Sequence, residues 1–389
     1  MSKIVAIIAE YNPFHKGHKY QIDKIKEEIK DSVIIAIMSS NIVQRGEFAF
    51  VDKYTRAKMA IECGADAVFE LPFPYACSTA EIFANAGVEI ASKLGAEYLY
   101  FGLENDSLEK IEETAKAINS SEFENQMKLS SGEEYLSYPV LKEKILEKMG
   151  IKISKYSNDM LAIEYVRAIQ SKNLSLKYRA IKRIGAKYKD NDIRDIMSAS
   201  AIRDNIYINN EILSVPKLAE IVLKEDIQNG KINDRNLTNR FLLSSMLLLS
   251  QENIEKTFDV PDGMGKFILE YAKKCKKANC FTDEISTKNY TTARLKRAII
   301  YSLFNINEID KIPDFTVLLG ANENGKKIIN RIRKMDKITI LTKHSDAKKL
   351  NEKSKEIYEK GLKVDELFNT LCVEPQPADL AYKKIPYIK

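Results

Sequence analysis

The first twenty residues constrain the fold more than any other stretch. Ile4-Val-Ala-Ile-Ile-Ala9 is an unbroken apolar run rich in β-branched residues, which reads as a buried strand of a parallel sheet. Asn12-Pro13 breaks it, and after Gly17 the apolar residues Tyr20, Ile22, Ile25 and Ile29 recur at helical spacing. His15-Lys16-Gly17-His18 therefore lies at a strand-to-helix junction, where backbone N–H groups and the helix dipole attract phosphate. Gly17 lets a ligand approach the backbone, and His15 and His18, three apart on the first turn, reach the same anion. Two imidazoles donating to an α-phosphate would stabilise the charge that builds as it is attacked. The alternative is an ordinary loop with two surface histidines. The chain has three histidines, and two sit here directly after the first strand, which favours the functional reading.

Strand and helix then alternate. Ser32-Val-Ile-Ile-Ala-Ile-Met38 is a second buried strand, ending in the polar loop 39–47 at the edge where open α/β sheets bind ligands. Helical patterns over 52–64 and 78–94 separate a third strand at 67–71 from a fourth at 98–101, which closes on Gly102. The spacing predicts an α/β fold with an N-terminal doubly wound parallel sheet, Rossmann-like. Residues 107–152 read as charged helix, 156–170 as a further helix and 176–181 as a strand. Ser198 is placed to cap a helix that carries Arg203 in its first turns. Beyond about 210 the texture is mainly helical (215–227, 237–250, 267–277, 290–304). A small α/β segment follows with candidate strands at 315–319 and 338–341, then an extended tail from 374. The expected division is a nucleotide-binding catalytic domain over 1–208 and a mainly helical domain over 209–389.

A chain of 389 residues is long for one core, which agrees with two domains. The net charge of +6 permits an RNA partner without demanding one. Five cysteines without CxxC spacing read as reduced thiols rather than a zinc site, and no metal-binding set of side chains is visible. No apolar run approaches the ~18 residues of a membrane span, and the N-terminal run is too short for a signal peptide. A cytoplasmic protein is expected.

The His-x-Gly-His element resembles that of the HIGH-type nucleotidyltransferase superfamily. Further segments occur in one order: Glu10 to His18, Asn41-Ile-Val-Gln-Arg-Gly-Glu47, Gly64-Ala-Asp66 with Glu70-Leu-Pro72, and Phe101-Gly-Leu-Glu104. Lys182-Arg-Ile-Gly185, Ser198-Ala-Ser-Ala-Ile-Arg203 and Tyr290-Thr-Thr-Ala-Arg294 follow. Together they resemble the bacterial tRNA(Met) cytidine acetate ligase family over essentially the whole chain. Ser40, where the family pattern has Gly, and Lys189, where it has His, depart from it. The resemblance implies an enzyme that activates acetate with ATP to acetyl-adenylate and delivers the acetyl group to N4 of the wobble cytidine of elongator tRNA(Met). It implies an ATP site made of Ile7, Ile8, Ala9, Glu10, Tyr11, Asn12, Pro13, Phe14, His15, Lys16, Gly17, His18, Lys19 and Tyr20 with Gly102, Asn158 and Arg183. Partners would be tRNA and acetate, with no DNA and no membrane.

That chemistry suits the residues. His15, His18 and Lys16 are candidates to act on the α-phosphate, while Arg183, Ser198, Ser200 and Arg203 would serve the β- and γ-phosphates from the opposite wall. A plain N-cap at Ser198 and a solvated Arg203 are the bland readings. Gly102 would let adenine or ribose lie against the backbone, or is a turn glycine. Asn158 would bond adenine or ribose, or cap its helix. Glu10 and Glu104 would hold Mg²⁺ through water or pair with lysine, and Mg²⁺ is expected to accompany ATP. Tyr290, Arg294, Lys296 and Arg297, with Tyr301, form a candidate tRNA-binding surface cluster. Two competing readings remain: an adenylyltransferase acting on a phosphorylated cofactor precursor, and a non-catalytic nucleotide-responsive tRNA-binding protein.

Overall fold

The computed structural model describes residues 2–130, 138–182, 196–309 and 312–389. The apolar runs become the central strands of one sheet. Its strands are β1 (Lys3–Ala9), β2 (Ser32–Ser39), β5 (Ala67–Leu71), β6 (Tyr98–Leu103), β7 (Lys177–Lys182), β8 (Phe315–Ala321), β9 (Thr339–Leu341) and β10 (Tyr387–Ile388); β3 (Ile42–Val43) and β4 (Glu47–Phe48) form a separate hairpin. The order is β10-β8-β5-β2-β1-β6-β7, with β9 beside β8. Pairing is parallel except between β5 and β8, where Ala67 faces Ala321 in an antiparallel register.

Burial on both faces explains why the strands read as continuous apolar runs rather than alternating ones. Ile4, Ala6, Ile35, Ile37 and Phe69 enter the core on one face, whereas Val5, Ile7, Ile34, Ala36 and Val68 enter that on the other. The first face is covered by α3 (Ala80–Lys93), α4 (Leu108–Ile118), α5 (Ser121–Ser130), α6 (Tyr138–Lys148) and α7 (Ser157–Ser171). The second is covered by α1 (Lys16–Glu28), α2 (Lys53–Glu62), α8 (Ala199–Asn209) and α9 (Lys217–Gln228). The remaining helices are α10 (Arg235–Leu248), α11 (Gln251–Glu255), α12 (Met264–Lys274), α13 (Phe281–Glu284), α14 (Thr292–Leu303), α15 (Glu323–Met335) and α16 (Glu352–Thr370). A third core joins α10, α12, α14 and α16 to Ile42, Phe48 and Phe73, so the helical segment is seated on the loops after β2 and β5.

The strands expected at 315–319 and 338–341 form as β8 and β9 and join the main sheet, where β8 bonds along the edge of β5 and β10 bonds along β8. One expectation about the C-terminal part changes. The tail is not simply extended: Ala378–Lys383 makes a short 3-10 helix before β10.

Candidate active site

β1 and α1 set the geometry. His15 is the N-cap of α1, and its Nδ1 accepts the Gly17 N–H at 3.0 Å while the Nδ1 of His18 accepts the His15 N–H at 3.2 Å. This reciprocal cap is built from two imidazoles in place of the usual hydroxyl and carboxylate. It also fixes the tautomers. Each Nδ1 receives a backbone proton, so the proton of each neutral ring sits on Nε2, which makes that atom a donor. The rings stack with centroids 3.6 Å apart, and Tyr11 packs edge-on against His18 at 4.7 Å. Gly17 is required by this arrangement, since a Cβ there would lie 2.9 Å from His15 Cε1.

Both histidines line a cleft of about 380 Å³ at the C-terminal edge of β1 and β6. Of the expected residues, Ile8, Ala9, Glu10, Tyr11, Asn12, Tyr20, Gly102, Asn158, Ser198, Ser200 and Arg203 line the same cleft. Ile7 and Phe14 instead enter the hydrophobic core, and Pro13 is buried without lining the cleft. Lys16 is exposed and Lys19 is bridged to Asp23; neither side chain lines the cleft. Arg183 and Lys189 lie outside the described residues. Ser40 is buried and donates to Ile42 O.

The opposite wall comes from α8. Ser198 caps it by accepting the Ala201 N–H at 3.2 Å, and its Oγ lies 3.1 Å from that of Ser200. Arg203 donates to Asn12 O at 2.6 Å, which ties this wall to the end of β1. Asn158 does not cap α7; it lies in the first turn and its amide donates to Glu104. Burial pushes the Glu10 carboxyl above its ordinary range, against the Gln44 N–H it accepts at 3.0 Å and the nearby Arg203.

Several site residues carried no expected role. Gln44, Arg45 and Glu47 of the β3–β4 hairpin line the cleft, as do Phe83, Phe101, Leu161 and Tyr165, which form an apolar wall. In the sequence, residues 41–47 read only as a polar loop and a motif, and the apolar residues match core periodicity. Two buried polar groups hold the rim. Asp159 accepts the backbone N–H groups of Glu104, Asn105 and Asp106 at 2.7–3.2 Å. Arg56 donates to the carbonyls of Glu10, Ser40 and Val51.

The expected basic surface cluster is corrected. Lys296 and Arg297 are 8% and 9% exposed, and Tyr301 is fully buried against Ser78. Lys296 pairs with Glu47 at 2.6 Å, while Arg294 and Arg297 pair with Asp259 at 2.7 and 3.8 Å. The reason is docking: the polar side of α14 is covered by the hairpin. Tyr290 and Arg294 remain partly exposed, in cation–π contact at 5.7 Å.

Comparison with known proteins agrees with this geometry. A family model described as HIGH Nucleotidyl Transferase matches residues 2–381. A tRNA(Met) cytidine acetate ligase of Caldicellulosiruptor bescii is 34% identical, over 92% of this chain and 91% of that protein. One from Fusobacterium nucleatum is 33% identical over 99% of this chain and 98% of the relative. Among solved structures, Thermotoga maritima TmcAL in its apo form superposes with a TM-score of 0.90 at 26% identity, covering 99% of both chains. The same protein bound with alpha-thio ATP superposes at 0.88 and 25% identity. With its imidazole-capped helix facing the Ser198–Arg203 wall, the chain belongs to the tRNA(Met) cytidine acetate ligase family of HIGH nucleotidyl transferases.

Proposed function

We propose that the chain is an ATP-dependent ligase that converts acetate to acetyl-adenylate and transfers the acetyl group to N4 of the wobble cytidine of elongator tRNA(Met). The observation that carries this reading is the pair of stacked imidazoles at the α1 N-terminus, both with Nε2 as donor, facing Arg203 across one cleft. An acetate oxygen attacks the α-phosphorus and pyrophosphate leaves. The Nε2–H groups stabilise charge on the α-phosphate oxygens, while Arg203, Ser198 and Ser200 receive the departing pyrophosphate. In the second step N4 attacks the acetyl carbonyl, AMP departs with the bonding pair and N4 loses a proton. The apolar wall excludes the water that would hydrolyse the mixed anhydride.

Mg²⁺ would enter with ATP on its phosphate oxygens. Glu10 and Glu104 supply oxygen donors on the cleft that suit a hard cation through water. Residues 1–208 would carry the nucleotide chemistry. Residues 209–389 would meet the tRNA, with Tyr290 and Arg294 offering a stacking face and a cation at the start of α14. An enzyme using ATP and tRNA would act in the cytoplasm. No helix among the described residues is long and apolar enough to cross a membrane.

The test is acetate-dependent ATP–pyrophosphate exchange, followed by transfer of labelled acetyl to tRNA(Met) with an unmodified wobble cytidine. Exchange that needs acetate, and label retained in the tRNA, are expected. No exchange even with that tRNA present would overturn the reading.

A further inference from the structure

The cleft and the helical segment are joined by a run of alternating charges. Arg203 Nη2 on α8 lies 3.8 Å from Glu47 Oε2 in the hairpin, and Glu47 Oε1 accepts from Lys296 Nζ on α14 at 2.6 Å. Lys296 is also 3.7 Å from Asp283 Oδ1. Asp283 Oδ2 accepts from Arg235 Nε at 2.9 Å and from Asn239 Nδ2 at 3.1 Å. Arg235 returns to α8, at 3.4 Å from Asp204. Lys296 does not line the cleft, whereas Glu47 and Arg203 do.

Glu47 is therefore shared between two cations of unequal availability. Lys296 is buried and held between Glu47 and Asp283. Arg203, with a fifth of its side chain exposed, keeps one short bond to Asn12 O and only a long approach to Glu47. A carboxylate on the cleft wall competes with a phosphate for the same guanidinium and repels that phosphate. An anion satisfied at 2.6 Å by a buried ammonium competes less.

We propose that Lys296 is a positioning residue that holds Glu47 off Arg203, so that docking of α14 keeps Arg203 available for the nucleotide's phosphates. The proposal rests on the reading that ATP occupies this cleft. Burial would raise the Glu47 carboxyl, but Lys296 and then Arg203 outweigh it and leave Glu47 below its ordinary range. Glu47 is thus a full anion at neutral pH, and Lys296 is its nearest counter-charge. The helical segment would in this way set the ATP affinity of a site it does not touch.

The experiment measures the Kd of a non-hydrolysable ATP analogue by calorimetry for wild type, Lys296→Met, Lys296→Arg, Glu47→Gln and the Lys296→Met/Glu47→Gln pair, with thermal melts alongside. Lys296→Met is expected to weaken binding about tenfold, equivalent to 1.4 kcal/mol. Lys296→Arg should retain most of the affinity, and the double variant should recover it, which loss of packing alone would not produce. Glu47→Gln alone should bind the analogue more tightly than wild type, and this arm decides the matter if Lys296→Met does not fold. Unchanged binding in Lys296→Met, a double variant as weak as the single one, or Glu47→Gln binding no tighter than wild type would each overturn the proposal. Acetate-dependent exchange by the wild type is measured in parallel. If exchange is absent while the analogue binds and the variants order as stated, the ligase reading falls and the positioning role stands.

Discussion

His15 and His18 cap one helix for each other: the His18 ring accepts the His15 N–H, and the His15 ring accepts the N–H of Gly17. Structure and chemistry are therefore held by the same two rings. The cap uses Nδ1, which leaves each Nε2 protonated as a donor at the ligand end of the sheet. Replacing His18 with Ala removes one transition-state donor and returns the His15 N–H to water. Acetate-dependent exchange should fall by about 10²–10³-fold, the usual cost of losing one such donor. A loss confined to KM for ATP would mean that His18 binds ground state and transition state alike.

Arg56 is a second position where one side chain sustains the cleft. It is fully buried, and its guanidinium satisfies three carbonyls at the ends of β1, β2 and the hairpin. Burial lowers its pKa to about 10, so it remains a cation at neutral pH. Arg56→Met would leave those carbonyls buried without donors, each costing about 1–3 kcal/mol. Urea unfolding should show at least about 3 kcal/mol of lost stability, and an unchanged midpoint would mean that water replaces the guanidinium.

Asp226 gives a pH prediction of the opposite sign to most acidic residues. Burial, then the neighbouring Asp52, raises its pKa from 3.8 to about 6, against the hydrogen bond it accepts from Thr55 at 2.5 Å. The folded state therefore holds its proton more tightly than the unfolded chain. The stability this contributes is present below the unfolded pKa and is lost as pH rises through the folded value. Asp226→Asn keeps an acceptor for Thr55 without the charge. It should raise stability at pH 7.5 by about 1–2 kcal/mol relative to wild type, with the difference closing as pH falls toward 4. Chemical denaturation at the two pH values checks this, and equal differences at both would reject the assignment.

The strands and the Ser198 cap were legible because local pattern determines them. Two-sided burial makes β1 and β2 continuous apolar runs, and an N-cap needs only a few consecutive residues. What was not legible depends on contacts far apart in sequence. Nothing in Phe315–Ala321 says that it pairs with β5 rather than forming its own sheet, since that pairing spans some 250 residues. The same fact bears on a fragment ending near residue 208, which would expose the β5 edge. Lys296 and Arg297 read as surface because they lie opposite the inward Leu295–Ile299 stripe. Only the hairpin docking on that side turns them inward. Asp159 and Arg56 show no sequence sign of their role, because each serves backbone groups whose position the fold alone decides.

That docking hinges on Gly46. Its φ is +79°, and a Cβ added there would lie 2.7 Å from the backbone nitrogen of Arg297 and 2.8 Å from the carbonyl carbon of Lys296. Those two atoms form one peptide bond of α14, which cannot swing away as a side-chain end could. Gly150 supplies the control, since its φ is also +79° but nothing lies within 4 Å of the added Cβ. Gly150→Ala should therefore cost only the left-handed backbone penalty, about 1–2 kcal/mol. Gly46→Ala carries that penalty and must also lift the hairpin from α14, carrying Glu47 away from Lys296 and Arg45 away from the cleft. It should destabilise more than Gly150→Ala in denaturant and lose most acetate-dependent exchange, whereas Gly150→Ala keeps it. If both glycines tolerate Ala equally in stability and exchange, the hairpin is free of α14 in solution and the helical segment does not hold the cleft wall.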